Sequence, residues 1–129
     1  MLFRTGRRIF SSCCITQPAI YEVAISFNDK SISKQYYNWL SNHHVKEVLD
    51  FPGFVSAELL ILYGGGNSIE GDSSQEGIVV RYTLESLNVF DDYNKSDLAR
   101  RLRKDAIEQF GDKFTAQRRV LLTGDVIFK

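Results

Sequence analysis

Tyr21, Val23, Ile25 and Phe27 alternate with Glu22, Ala24 and Ser26, the two-residue period of a strand with one buried face. Asn28 and Asp29 then offer turn and capping chemistry. Ile32, Tyr36, Trp39, Leu40 and His43 recur at spacings of three and four, which predicts an amphipathic helix. A short helical piece over residues 45–51 follows and stops at Pro52-Gly53. Residues 54–63 read as a second strand with Val55, Ala57, Leu59 and Ile61 turned inward. Residues 63–77 hold five glycines, a loop composition, and their triple glycine lacks the lysine and spacing of a phosphate-binding loop. Residues 78–83 give a third strand. Leu87, Phe90 and Tyr93 then fall at helical spacing until Lys95-Ser96-Asp97 interrupts them with a fresh N-cap. In the helix that follows, Leu98, Leu102, Ala106 and Phe110 lie four residues apart, and Gly111 stands where a left-handed C-cap is expected. Residues 114–122 form the last strand, with Ala116, Arg118, Val120 and Leu122 on one face and Gln117, Arg119 and Leu121 on the other.

The element order is strand, helix, strand, strand, helix, strand. It predicts a ferredoxin-like α+β fold, βαββαβ, with a four-stranded antiparallel sheet covered by helices on one face. Strands 1 and 2 offer apolar residues to both sides, so the second face also needs cover. Sheet-to-sheet pairing into a dimeric α/β barrel would supply it. A chain of 129 residues suits one such domain, set at 21–123, with an N-terminal extension over 1–20 and a C-terminal tail over 124–129.

Charge separates the extension from the body. Arg4, Arg7 and Arg8 precede the first acid, Glu22, so beyond residue 10 the 16 acidic side chains outnumber the bases and the body is net acidic. That argues against nucleic acid as a partner. On a helical wheel Leu2, Phe3, Ile9 and Phe10 oppose the three arginines, and Ser11, Ser12 and Thr16 follow. A basic, serine-rich, acid-free amphipathic head is the composition of a mitochondrial transit peptide, and its arginines break the apolar core a secretory signal requires. Arg8-Ile9-Phe10-Ser11 resembles a mitochondrial processing pattern with cleavage after Phe10. The targeting set is therefore Arg4, Arg7, Arg8, Phe10 and Ser11, and the expected location is the matrix or the matrix side of the inner membrane. A plain basic tail is the alternative reading. The only cysteines, Cys13 and Cys14, are adjacent, so no disulfide framework is available and a reducing compartment is expected. No apolar run reaches the roughly 18 residues of a membrane span. At most, peripheral membrane contact is expected.

Beyond these patterns, YEVAISF, Trp39-Leu40 with His43-His44-Val45, RYTLES, and above all Phe110-Gly111-Asp112-Lys113-Phe114 with Arg118-Arg119 behind it resemble a small bacterial family, domain of unknown function 4286. The resemblance spans residues 21–122. It implies a dimeric α/β-barrel type of fold, and it carries no catalytic residue with it because the family has no settled activity. The arginine-rich head and the long glycine-rich loop depart from the family pattern.

Candidate chemistry is sparse. His43 and His44 are adjacent, about 100° apart on a helix, and cannot share one metal as an i, i+4 pair could. The plain expectation places His43 beside Trp39 and leaves His44 in solvent. A functional version lines the cavity with Tyr36, Trp39 and His43, with His43 as general base. Arg100 to Asp105 reads as a solvated helix face with Asp97–Arg101 and Arg101–Asp105 pairs. Arg118 and Arg119 must face opposite sides of their strand, one of them meeting Glu22 or Glu58. No cofactor or metal is expected. The leading functional expectation is a non-catalytic accessory or assembly subunit of a mitochondrial complex, a respiratory complex, ATP synthase or the mitoribosome. Its partners would be protein subunits or a homodimer mate. The alternative is a small-molecule enzyme or binding protein, like the monooxygenases and isomerases built on this architecture.

Overall fold

The computed structural model describes residues 17–63 and 77–129. The targeting set Arg4, Arg7, Arg8, Phe10 and Ser11, and most of the glycine-rich segment, lie outside the described residues. Strand β1 (Ala19–Phe27) leads through a 3₁₀ turn (Lys30–Ile32) into helix α1 (Ser33–Trp39), a π turn (Leu40–His44) and α2 (Val45–Leu49). Then come β2 (Phe54–Leu62), β3 (Gly77–Leu84), α3 (Leu87–Lys95), α4 (Asp97–Phe110) and β4 (Phe114–Leu122). β1 begins two residues before the alternation that announces it.

The sheet order is β2-β3-β1-β4, and all its pairings are antiparallel. Each crossover helix layer therefore joins strands that flank another strand, the split βαβ plan of a ferredoxin-like α+β fold. Register sorts the two faces. Tyr21, Val23, Ile25 and Phe27 stand opposite Tyr82, Val80 and Ile78 on one side, and Val120, Arg118, Ala116 and Phe114 on the other. These face the helices, because the Tyr21 ring packs at a tilt against Phe90 and Tyr93 of α3. The fully buried side chains Leu40, Val48, Ile78, Val80, Leu84 and Leu102 form the centre of that layer, each stabilising the fold by about 1.5–3 kcal/mol.

Local signals hold at most ends. Asp29 caps the first turn by accepting from the Ser31 N–H at 3.0 Å, and Ser96 caps α4 by accepting from the Ala99 N–H at 3.1 Å. Gly111 ends α4 with φ +62, a backbone that favours glycine, although its ψ of −133 differs from the left-handed helical cap expected. The following turn is clamped from the far end of β1. The Asn28 N–H donates to Lys113 O at 2.8 Å, and its side-chain amide donates to Asp112 O at 2.8 Å.

Two expectations change. Val55 points outward and is 59% exposed, because a bulge between Phe54 and Ser56 resets the register before Ala57, Leu59 and Ile61 resume the helix-facing side. Asp97 pairs with Arg100 rather than Arg101, while Arg101 reaches Asp105 at 3.3 Å and Glu47 at 3.5 Å. The C-terminal Val126, Ile127 and Phe128 follow β4 without regular structure and stand exposed.

Candidate functional site

Between the helix-facing side of the sheet and the helices lies a cavity of about 660 Å³, within the range that holds drug-sized ligands. The cavity belongs to one chain rather than to the space between two sheets. Its sheet wall carries Tyr21, Val23, Ile25, Val80 and Tyr82, and its helix wall Tyr36, Leu40, His44, Val48 and Tyr93. Arg103 and Ile107 of α4, then Gly111, Asp112 and Phe114 of the turn into β4, complete it together with Arg118. The Phe110–Phe114 turn thus shapes one end of the cavity: Phe110 packs on Tyr36 at 4.7 Å while Phe114 packs on the same ring at 5.0 Å.

The π turn decides which histidine takes part. The Val45 N–H bonds back five residues to Leu40 O, so one helical turn is spread over an extra residue. In an unbroken α-helix the stripe from Tyr36 would pass through His43, seven residues on. The inserted residue moves it to His44. His43 is therefore exposed and outside the cavity, and it is His44 that is half-buried there. Trp39 does not line the cavity. It packs behind it, stacked on His44 at 4.6 Å and edge-on to Tyr36 at 5.4 Å. Of the three residues expected at the cavity, Tyr36 alone lines it.

His44 is set apart from His43 by its burial. Its Nδ1 is buried without a hydrogen-bond partner. Burial, and to a lesser extent the charge of Arg118, hold its pKa down at about 4 against the opposing pull of Asp105. The ring is neutral at neutral pH, able to accept or donate one hydrogen bond. Burial pushes the hydroxyls of Tyr36 and Tyr82 far above the usual tyrosine range and that of Tyr93 up to about 12. All three stay protonated as hydrogen-bond donors.

The two arginines of β4 divide as strand geometry requires, and differently in kind. Arg119, on the sheet face away from the helices, donates to Glu22 at 2.6 Å, and Arg81 donates to the other Glu22 oxygen at 2.8 Å. Hydrogen bonding to Arg81, then to Arg119, holds the Glu22 carboxyl below its usual range against the cost of burial. Arg118 lines the cavity, is exposed at its mouth, and has no carboxylate within ion-pair distance among the described residues. Its charge acts on Tyr36, His44, Tyr82 and Tyr93, groups from four separate elements. Tyr21 and Tyr93 read in the sequence only as apolar-face positions, Tyr82 only as part of the third strand, and Arg118 only as half of an arginine pair. Among the described residues no cluster of His, Cys, Asp and Glu could hold a metal ion.

No curated protein matches the sequence. Solved structures share the fold at low identity. A monooxygenase from Streptomyces coelicolor in complex with nanaomycin D is 11% identical, with a TM-score of 0.63 over 88% of this chain and 94% of that one. SnoaB, a cofactor-independent oxygenase from Streptomyces nogalater, is 12% identical, with a TM-score of 0.55 over 88% and 99%. A dimeric ferredoxin-like protein from an uncultured marine organism is 10% identical, with a TM-score of 0.55 over 86% and 99%. A monooxygenase holding a small organic ligand and a cofactor-independent oxygenase are not accessory subunits. With the cavity found here, they overturn the expectation of a non-catalytic subunit of a mitochondrial complex. A family model matches residues 18–123, well over half of the chain, and the protein belongs to that family, the domain of unknown function DUF4286.

Proposed function

We propose that this protein binds a small, largely apolar organic molecule between its sheet and its helices and acts on it by proton transfer. The observation that carries this reading is the 660 Å³ apolar cavity, which His44 lines from the helix side and Arg118, without an ion pair among the described residues, lines from the sheet side. A neutral imidazole in such a cavity can take a proton from a bound carbon or oxygen acid. Arg118 and the protonated tyrosines can stabilise the negative charge that develops. The shared fold with an oxygenase described as cofactor-independent supports chemistry done by side chains and substrate alone, by analogy of fold only. Thermal-shift screening of planar ring compounds tests the reading, with Ala106→Trp as the comparison because Ala106 lines the cavity. Compounds should stabilise the wild type and lose that effect in Ala106→Trp; equal shifts in both would place them elsewhere.

The open face of the sheet supports pairing with a second copy. Ile20, Ala24, Leu60, Val79 and Leu121 are half-buried there with no element above them among the described residues, and Leu62 is 46% exposed. A like sheet would cover them and further enclose Glu22 between its arginines. Light scattering should then give a particle near twice 14.8 kDa. The basic head remains read as a mitochondrial address, a reading independent of the partners first expected for the body.

A further inference from the structure

We propose that the occupant of this cavity is an aromatic acid bound as its monoanion, with its rings against the tyrosine wall and its oxyanion on Arg118. The inference rests on the small-molecule reading above and names the class of ligand. Among the described residues three charged side chains line the cavity: Arg103, Asp112 and Arg118. Arg103 is already engaged, donating to Asn94 Oδ1 at 2.9 Å and to the Tyr21 hydroxyl at 3.4 Å. Among the described residues Arg118 has neither a hydrogen bond nor an ion pair, whereas its neighbour Arg119 is given Glu22 on the other face. Two successive arginines are thus treated differently, and the one left over is the one that faces the apolar cavity.

A guanidinium beside apolar walls is favoured by an anion that its planar fork can hold with two bonds, as a carboxylate or a delocalised enolate does. Of the two arginines that line the cavity, Arg118 is the one left uncommitted among the described residues, so one oxyanion on the ligand suffices to meet it. The protonated hydroxyls of Tyr36, Tyr82 and Tyr93 donate to such an oxyanion rather than repel it. The walls select the body of the ligand. Tyr21 and Tyr82 stack at 5.6 Å with 22° between their planes, and the rings of Tyr36, Tyr93 and Phe114 also line the space. Flat rings gain from offset or edge-on packing against such walls.

Trp39 is the only tryptophan and is stacked on His44, so its emission reports occupancy. Anthracene-2-carboxylate and its neutral methyl ester are titrated into the full-length wild type, Arg118→Met, Arg118→Lys and Ala106→Phe, following energy transfer from Trp39. The expected result is at least tenfold tighter binding of the acid than of the ester by the wild type. Arg118→Met should bring the ratio to about one by weakening the acid alone, Arg118→Lys should restore part of it, and Ala106→Phe, which fills the cavity without adding a tryptophan, should weaken both compounds. Equal affinity for acid and ester in the wild type, or an undiminished preference in Arg118→Met, overturns the anion assignment while leaving a ring-binding cavity in place. If neither compound binds the wild type, the small-molecule reading falls with it.

Discussion

Replacing His44 with phenylalanine should flatten the acid side of this protein's stability curve. The fold holds the His44 pKa at about 4 rather than near the ordinary 6.5, chiefly by burying the ring. The unfolded chain therefore takes up the proton first as pH falls. The stabilising contribution is complete above about pH 6.5, declines below it, and is exhausted near pH 4. A gap of about 2.5 pH units at ~1.4 kcal/mol each amounts to about 3 kcal/mol. About 2.4 kcal/mol of this is lost between pH 7 and pH 4.5, where the steepest slope is about 1.2 kcal/mol per pH unit. Urea unfolding followed by circular dichroism at pH 7, 6, 5 and 4.5 measures it. With an m-value of ~1.5 kcal/mol/M, the wild-type midpoint should fall by about 1.6 M more than that of His44→Phe over this range. Carboxylates titrate in both proteins and cancel in the difference. His43→Gln leaves a single imidazole, since the chain has two histidines, and its proton resonances should titrate with a midpoint near 4. Parallel midpoint curves for wild type and His44→Phe, or a titration near 6.5, would show that His44 is not buried against the cavity wall and would remove the basis for its role.

Glu22→Gln should destabilise the fold by about 1–2 kcal/mol at pH 7, because it weakens two charge-assisted hydrogen bonds whose arginines are 47% and 66% exposed and therefore screened. The lowered Glu22 pKa makes its contribution one that fades only as pH falls below about 4.5, beneath the His44 window; urea midpoints at pH 7 and pH 3.5 separate the two, and no change in Glu22→Gln at pH 7 would contradict the pairing. Gly53→Ala should cost about 1–3 kcal/mol, since Gly53 has φ +96 and an added methyl would strike Val89. Adding Val89→Ala should recover the steric share and leave the backbone share, both read from thermal midpoints, and a neutral Gly53→Ala would refute the strain. Residues 1–20 fused to a fluorescent protein should carry it into mitochondria, and Arg4, Arg7 and Arg8 changed to Gln should leave it outside. Uniform cytosolic fluorescence from the unaltered fusion would refute the address reading.

The alternation of Tyr21 to Phe27, the four-residue stripe from Leu98 to Phe110 and the capping signals at Asp29 and Ser96 were enough to reach the sheet and its helix layer. Each depends only on neighbours close in sequence. The site was less legible for two reasons. A 3.6-residue period assumes an unbroken helix, and the π turn over Leu40–His44 exchanges the two histidines without any glycine or proline to mark the place. Long-range register does the rest. Arg118 and Arg119 are equivalent in the sequence until β4 is paired with β1, which sets Arg119 beside Glu22 and Arg118 opposite Val23 on the cavity side. The tyrosines show the same limit. Their spacing identifies Tyr21 and Tyr93 as inward-facing, but the side taken by Tyr82 and whether the layer above closes or leaves a cavity depend on strand register and on how α1 to α4 meet.

The central claim is that the functional site lies inside one chain, between sheet and helices. The most direct measurement is a crystal structure of the full-length protein with anthracene-2-carboxylate. The rings should lie among Tyr21, Tyr36, Tyr82 and Tyr93, and the carboxylate should sit within about 3.2 Å of the Arg118 guanidinium. Ligand held on the open face of the sheet, or a cavity left without ligand in protein saturated with it, would contradict the account.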